Sequence, residues 1–559
     1  SAISFFVPKR QPDMKAKKTP DNTRNRTAES SEENKEDSKD ASSYLARAVA
    51  RGTLATLGLR LLSFVCTQWT LRVLDPAALG RTSVQLELVL ATILFLGREG
   101  FRLALTRNVS QQNWSVAWLS VPVGTLISLA AVVFHLYYRS TSNTEEADDP
   151  DFRLAGTLYC LAAWMEVWGE PATLHSLRKM DVATVALAEG IATVAKTVST
   201  VVLLQYLQVN FPVTAFGLAQ MVYAMTYTLF LSWHTWGRLS GPSLAEIDGQ
   251  TCYLCLIFTL QGCLKHFLTE GDKFVLTALL DNYDQGVYAM GSAYGSMAAR
   301  VIFKPVEENS RLLWSRLAQE EGANTELFTS YTMIVKAILY IGFIFSFLGV
   351  NYTEILLNIL AGEKWGNNRE AVDVLSAFCV YTAFMAWNGT TEAFVYALAN
   401  SGSDIGQLSF VHTTVGGVFA LSAPLAVGRF GTVGLVAVNC FAMFLRSLFS
   451  LYYAAMYFSK RDNQPLMESL ARLLSHMFPH LVVASAFVAS FFVTRMSLQR
   501  MRDTAVIKQL AIGSGDWFKL SLQHIGVGAS CGIVALSLAV ILEQRFRREL
   551  TRIRSGKTD

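Results

Sequence analysis

The feature that most constrains this chain is a succession of apolar stretches, each close to the ~20 residues an α-helix needs to cross the ~30 Å hydrocarbon layer. They run at about 45–74, 80–97, 115–138, 154–169, 182–207, 213–236, 251–269, 285–303, 327–349, 369–397, 407–427, 431–458, 478–496 and 517–543. Composition agrees. Charged residues make up 16% of the 559 and hydrophobic ones 52%, whereas soluble domains hold about 25% charged residues. In lipid every backbone amide must be satisfied within the chain, so the pattern predicts an all-α membrane protein of about fourteen transmembrane helices. The fourth and eighth segments carry charge and are the weakest of the set.

The spacing divides the chain. Residues 1–43 are polar, low in complexity and read as a disordered cytosolic tail. Six helices fill 44–237 and six more 251–459, an additional pair occupies 478–543, and 544–559 is a basic tail. The second helix of each set ends in a basic, amphipathic run, REGFRLALTR at 98–107 and RVIFKPVEENSRLLWSR at 300–316, a weak internal repeat. Lys and Arg gather in alternate short loops, which places both termini in the cytosol and the acidic 141–151 loop on the far side. The loop at 497–516, with Arg500, Arg502 and Lys508, departs from this rule. Among the sequons, Asn351 falls in a far-side loop and is the glycosylation candidate. Asn25, Asn108 and Asn113 fall in the cytosol, and Asn388 inside a helix.

Ionisable residues within apolar spans cost roughly 3 kcal/mol each and face cavities or partners. Arg47 and Arg51 share a face of the first helix, and Arg60 lies about half a turn away. Glu189 and Lys196, seven apart, share a face of the fifth, close enough to pair through a bridging group. Glu87, Glu166, Lys265 and Arg446 are further candidates. Arg300, Lys304, Glu307, Glu308 and Arg311 form one stripe interrupted by Pro305, and Arg98 and Arg102 form its counterpart beside Glu99. Such cations either snorkel to the headgroups, the reading favoured for Arg107, Arg311 and Arg316, or line a basic cavity for an anionic head. Cys252 and Cys255 have C-x-x-C spacing without a second pair, so no metal set is expected. No phosphate-binding GKS/T loop is present, which argues against direct NTP hydrolysis, and no cofactor is expected. Asp149 and Asp151 make a D-x-D, weak evidence for a glycosyltransferase. A net charge of +4 gives no reason to expect nucleic acid.

LTEGDKFVLTALL at 268–280, DQGVYAMGSAYGSMAARVIFKPVEENS at 284–310 and LGREGFRLALTRN at 96–108 resemble the eukaryotic oligosaccharide-lipid translocation protein family. That family lies within the superfamily of multidrug, oligosaccharidyl-lipid and polysaccharide exporters. The resemblance spans about 44–545. It implies two six-helix lobes in a V around a central cavity, with two added helices, in the endoplasmic-reticulum membrane. The implied partner is dolichol pyrophosphate carrying five mannoses on two N-acetylglucosamines, moved from the cytosolic to the luminal leaflet. Motif positions that match are Arg98, Glu99, Arg102, Glu270, Gly271, Lys273, Arg300, Pro305, Glu307 and Glu308. Arg47, Arg51, Arg60, Glu270, Lys273 and Arg300 are expected to face one shared cavity. Arg102→Ala or Arg300→Ala is expected to impair glycolipid handling with little loss of protein.

Three further readings compete with a flippase, which would not be an enzyme. One is a non-transporting accessory protein that binds the same lipid. Another is a polyprenyl-dependent glycosyltransferase, disfavoured because the first luminal loop holds only Asp75. The last is an ion- or proton-driven exporter using Glu87, Glu166 or Glu189.

Overall fold

A computed structural model of the chain describes residues 65–107, 114–141, 149–179, 181–207, 211–239, 241, 247–320, 322–399 and 402–543. Arg47, Arg51 and Arg60 lie outside these residues. Arg300 lies within a helix, but its side chain is not described.

Helices account for nearly all of it, and no strand occurs among the described residues. In the first half α1 runs over 76–107, followed by α2 (Ser120–Thr141), α3 (Pro150–Trp168), α4 (Glu170–Arg178), α5 (Val182–Leu207) and α6 (Pro212–His234). The second half begins with α7 (Gly249–Thr269) and α8 (Gly271–Leu279), which are two pieces of one broken pass. Next come α9 (Asn282–Ala298), α10 (Lys304–Leu317), α11 (Asn324–Phe343), α12 (Arg369–Leu398) and α13 (Gly402–Asp462). A short α14 (Leu466–Met477) precedes the final pair, α15 (Leu481–Ile507) and α16 (Gly515–Leu542). Nine helices among the described residues are long and apolar enough to span a membrane. One of them is α13, which folds back at Gly431, where φ is 56°. Only glycine takes that backbone readily, so α13 holds two antiparallel arms.

The fourth and eighth segments are helical, as α3 and α9, despite their charge. Large apolar side chains fill the interior and also cover the outside. Leu421 and Leu481 are 78% and 81% exposed, a costly arrangement in water and a natural one against lipid tails. The D-x-D is consumed by helix ends. Asp149 caps α3 by accepting from the Asp151 amide and pairs with Arg81. Asp151 accepts from the Val213 and Thr214 amides (2.8 and 2.7 Å), capping α6. These orphan donors would otherwise stand unsatisfied in a buried setting.

The internal repeat has a structural counterpart. Residues 95–99 of α1 and 299–303, between α9 and α10, are both wound as π-helix, and each stretch sits where a basic extension begins. The final pair packs on itself and on residues 344–352. There Asn351 is fully buried, and its Nδ2 donates to the Phe491 carbonyl (3.0 Å) and Thr494 Oγ1 (2.8 Å). Nδ2 is the atom a glycan would occupy, so the expectation that Asn351 accepts one does not fit the folded chain. The 497–516 exception also changes character. α15 continues to Ile507, and Arg502, though exposed, pairs with Glu354.

Candidate functional site

The intramembrane charges meet in pairs. Arg98 and Arg102 sit one turn apart on α1, and Glu166 and Glu170 sit one turn apart on the α3–α4 pass. Arg98 Nη1 lies 3.4 Å from Glu166 Oε2. Arg102 donates through Nε and Nη2 to the two oxygens of Glu170 at 2.5 and 2.7 Å. This fork suits guanidinium to carboxylate, and Glu170 is wholly buried. Gln220 of α6 donates to the other oxygen of Glu166 at 3.0 Å. Glu99, partly buried, adds its charge beside Arg102.

The network continues along α1 and onto α8. Lys196 of α5 lies 3.0 Å from Glu87 of α1. Its expected neighbour, Glu189, is exposed instead, because helical spacing identifies residues on a shared face but not the helix they face. Lys273 pairs with Glu270 at 2.9 Å in the first turn of α8. Lys273 also bears electrostatically on Glu87, and Lys196 on Glu166. Four cations (Arg98, Arg102, Lys196, Lys273) and five carboxylates (Glu87, Glu99, Glu166, Glu170, Glu270) thus form one chain of charge, with Lys273 and Glu270 from the second half and the others from the first. The cations of the expected basic cavity are, over these residues, each held by a carboxylate rather than bare. Arg98, Arg102, Lys196 and Lys273 nevertheless keep 23–32% of their side-chain surface open.

The second stripe lies elsewhere. Lys304 and Glu308 are exposed, whereas Glu307 is half-buried against α12. Its carboxylate rests on Gly389, where a Cβ would fall 1.8 Å from Oε1. One turn further, Glu392 faces His412 at 3.1 Å and accepts from Asn388. Arg98, Glu99, Arg102, Glu270 and Lys273 are therefore brought into one network. Lys304, Glu307 and Glu308 are not part of it.

Between the halves, α1 touches the second half along its length. At one end a Cβ on Gly80 would lie 2.1 Å from the Asn282 carbonyl oxygen, and one on Gly286 1.8 Å from that of Pro76. α1 and α9 thus cross backbone to backbone. Gln85 Nε2 donates to Asn282 Oδ1 (2.6 Å) and Gln285 Oε1 (3.1 Å). Around this crossing Trp365 Nε1 donates to the Leu71 carbonyl (2.7 Å), Arg72 Nε to that of Leu360 (2.9 Å), and Lys364 pairs with Asp75. A cavity of 940 Å³ opens just outside, lined by Asp75, Tyr283, Lys364, Asn368 and their neighbours. At the other end Gly100 meets Thr259 and Cys255, and Thr92 contacts His266 at 3.1 Å. The V expected between lobes is in this structure a seam in which α1 contacts the second half at both ends.

Sequence reasoning placed Glu87, Glu166 and Lys196 in the membrane but left Glu170 and Asp272 unremarked. The matched four-residue spacings, 98/102 and 166/170, were the available signal for Glu170.

The comparisons agree with this architecture. The protein from Mus musculus named Man(5)GlcNAc(2)-PP-dolichol translocation protein RFT1 is 28% identical over 543 residues, covering 90% of this chain and 95% of its own. The Dictyostelium discoideum protein of the same name is 23% identical, covering 89% and 94%. In fold the chain is similar to the lipid II flippase MurJ in an inward closed conformation, with TM-score 0.59, 9% identity, and 88% of this chain and 99% of that one covered. It is also similar to an inward-facing multidrug resistance MATE family transporter, with TM-score 0.54, 15% identity, and 72% and 95% covered. A family model described as Rft-1, Rft protein, matches residues 53–553. The chain belongs to the Rft protein family.

Proposed function

We propose that this protein moves Man(5)GlcNAc(2)-PP-dolichol from the cytosolic to the luminal leaflet of the endoplasmic reticulum, supplying N-linked glycosylation, and that it is a carrier rather than an enzyme, with both termini cytosolic. Family membership and the names of its relatives supply the substrate class. The observation that carries the reading is the network of carboxylate-held cations at the seam. A pyrophosphate-linked head cannot cross hydrocarbon unaided, because each unpaired charge is expensive there. Bare cations awaiting it would be costly for the same reason. Cations already held by Glu87, Glu166, Glu170 and Glu270, yet partly open, avoid that cost and meet phosphate oxygens on their open sides with the carboxylates still in place.

A second reading has one observation in its favour. The backbone crossing of Gly80 and Gly286 closes one end of the seam, as suits a protein that binds the glycolipid from one side without moving it. Purified protein in liposomes with the authentic glycolipid, scored for leaflet exchange, separates the two. Carriage predicts exchange that falls about tenfold or more in Lys196→Ala and Lys273→Ala, each of which loses a charge-assisted phosphate contact. Binding without exchange by folded wild-type protein overturns carriage in favour of the accessory role.

A further inference from the structure

Asp272 stands in the first turn of α8, just past the break in its pass. Its Oδ2 accepts from Tyr288 Oη of α9 (2.5 Å) and from Asn439 Nδ2 of the second arm of α13 (3.0 Å). Asn439 Nδ2 also reaches the Tyr288 hydroxyl at 3.2 Å. Asp272 precedes the end of its pass at Leu280 by eight residues, Tyr288 follows Asn282 by six, and Asn439 follows Gly431 by eight. At 1.5 Å per residue each helix places the cluster about 10 Å beneath the sealed end.

The charges around it are committed elsewhere. Lys273 holds Glu270, Lys196 holds Glu87, His266 lies at the foot of α7, and Tyr381 of α12 adjoins with Arg446 beyond it. No cation forms an ion pair with Asp272 among the described residues. An ionised carboxylate so placed bears the cost of desolvation with two neutral donors to offset it, the charge of Lys273 acting from a distance against that of Glu270. A protonated one escapes that cost but gives up charge-assisted bonds for neutral ones of roughly half the strength.

We infer that Asp272 takes up and releases a proton, and that its charge state governs how firmly α9 is held at the seal. As a carboxylate, Oδ2 binds Tyr288 and Asn439 and ties three helices together. Tyr288 is two residues past Gly286, so this tie holds the part of α9 that closes against α1. Proton uptake from water turns the carboxylate into a neutral acid, weakens both bonds, and frees α9 to leave α1. The inference does not depend on which substrate the seam carries, and it applies to a carrier and an accessory protein alike.

The test is hydrogen–deuterium exchange of the 282–290 segment in lipid nanodiscs, corrected for the intrinsic rate, between about pH 5 and pH 8. In wild-type protein the protection of this segment falls by about fivefold or more as the pH drops across the range, and a rise would overturn the inference. Asp272→Asn, a fixed neutral analogue, abolishes the change, while Asp272→Glu retains it with a displaced midpoint. Tyr288→Phe lowers protection at every pH. A flat wild-type profile, or a response that survives in Asp272→Asn, overturns the inference. If Asp272→Asn fails to fold, the wild-type and Asp272→Glu profiles decide, since identical midpoints in the two exclude this carboxyl as the titrating group.

Discussion

Removing Arg102 leaves the Glu170 carboxylate, which is wholly buried, without its two guanidinium bonds of 2.5 and 2.7 Å. Breaking a buried pair from one side costs about 3–5 kcal/mol, because the remaining charge has no solvent and no partner. That is more than about a hundredfold in the folded population. Replacing both members with apolar side chains of similar length removes the stranded charge and is often neutral. Arg102→Ala and Glu170→Ala are therefore each expected to lower the thermal stability of detergent-extracted protein sharply, while Arg102→Met with Glu170→Met stays close to wild type. Fluorescence-detected size exclusion after graded heating reads all three. A double variant as unstable as the singles would refute the electrostatic account and make packing the cause. A stable Arg102→Ala would show that the pair is not formed. The geometry also replaces the expectation drawn from sequence, that Arg102→Ala impairs glycolipid handling while sparing the protein. An activity loss in that variant is uninterpretable without the double.

Two further outcomes follow from the final helix pair. Asn351 should carry no glycan when peptides from endoplasmic-reticulum membranes are mapped, and Asn351→Ala should destabilise the protein by about 1–3 kcal/mol in the same heating assay, since Thr494 and the Phe491 carbonyl lose a buried donor. Glu543 accepts from Lys336 Nζ (2.7 Å), from the Tyr340 hydroxyl and from the His480 amide (3.1 Å). Glu543→Ala should therefore raise proteolytic nicking of the 478–480 junction, and an unchanged digestion pattern would show that Glu543 does not anchor it.

Much of the helical layout was legible because hydropathy over some twenty residues reports the solvent directly. Most described passes begin and end within a few residues of the expected ones, including α3 and α9, whose charges weakened the signal, but α1 and α15 run to 107 and 507, well past the expected ends at 97 and 496. The helix α14 escaped notice because its apolar face is one stripe packed on α11 and α13, not a span. Partners were harder than positions. Lys196 could be assigned to a face of α5, but nothing in one sequence says that α1 lies opposite, so Glu189 was preferred to Glu87. Glu166 and Glu170 repeat the spacing of Arg98 and Arg102, a match visible in the letters once two parallel helices are supposed. Asp272 hides inside the run that carries the family resemblance, where Glu270 and Lys273 drew attention as a charged pair. What distinguishes Asp272 is its hydrogen-bonded neighbours on α9 and α13, which lie 16 and 167 residues away.

The crossing of Gly80 and Gly286 has a mechanical consequence. Where side chains separate two helices, rotamers can shift and the gap widens by degrees. Here main chain rests on main chain, with no room even for a methyl group, so the contact has no compliance. It can be intact or parted, and intermediate spacings forfeit the dispersion contacts at once without gaining any others. An opening at this point is therefore a switch with two settings, and the stiffness that keeps it shut also makes its release abrupt.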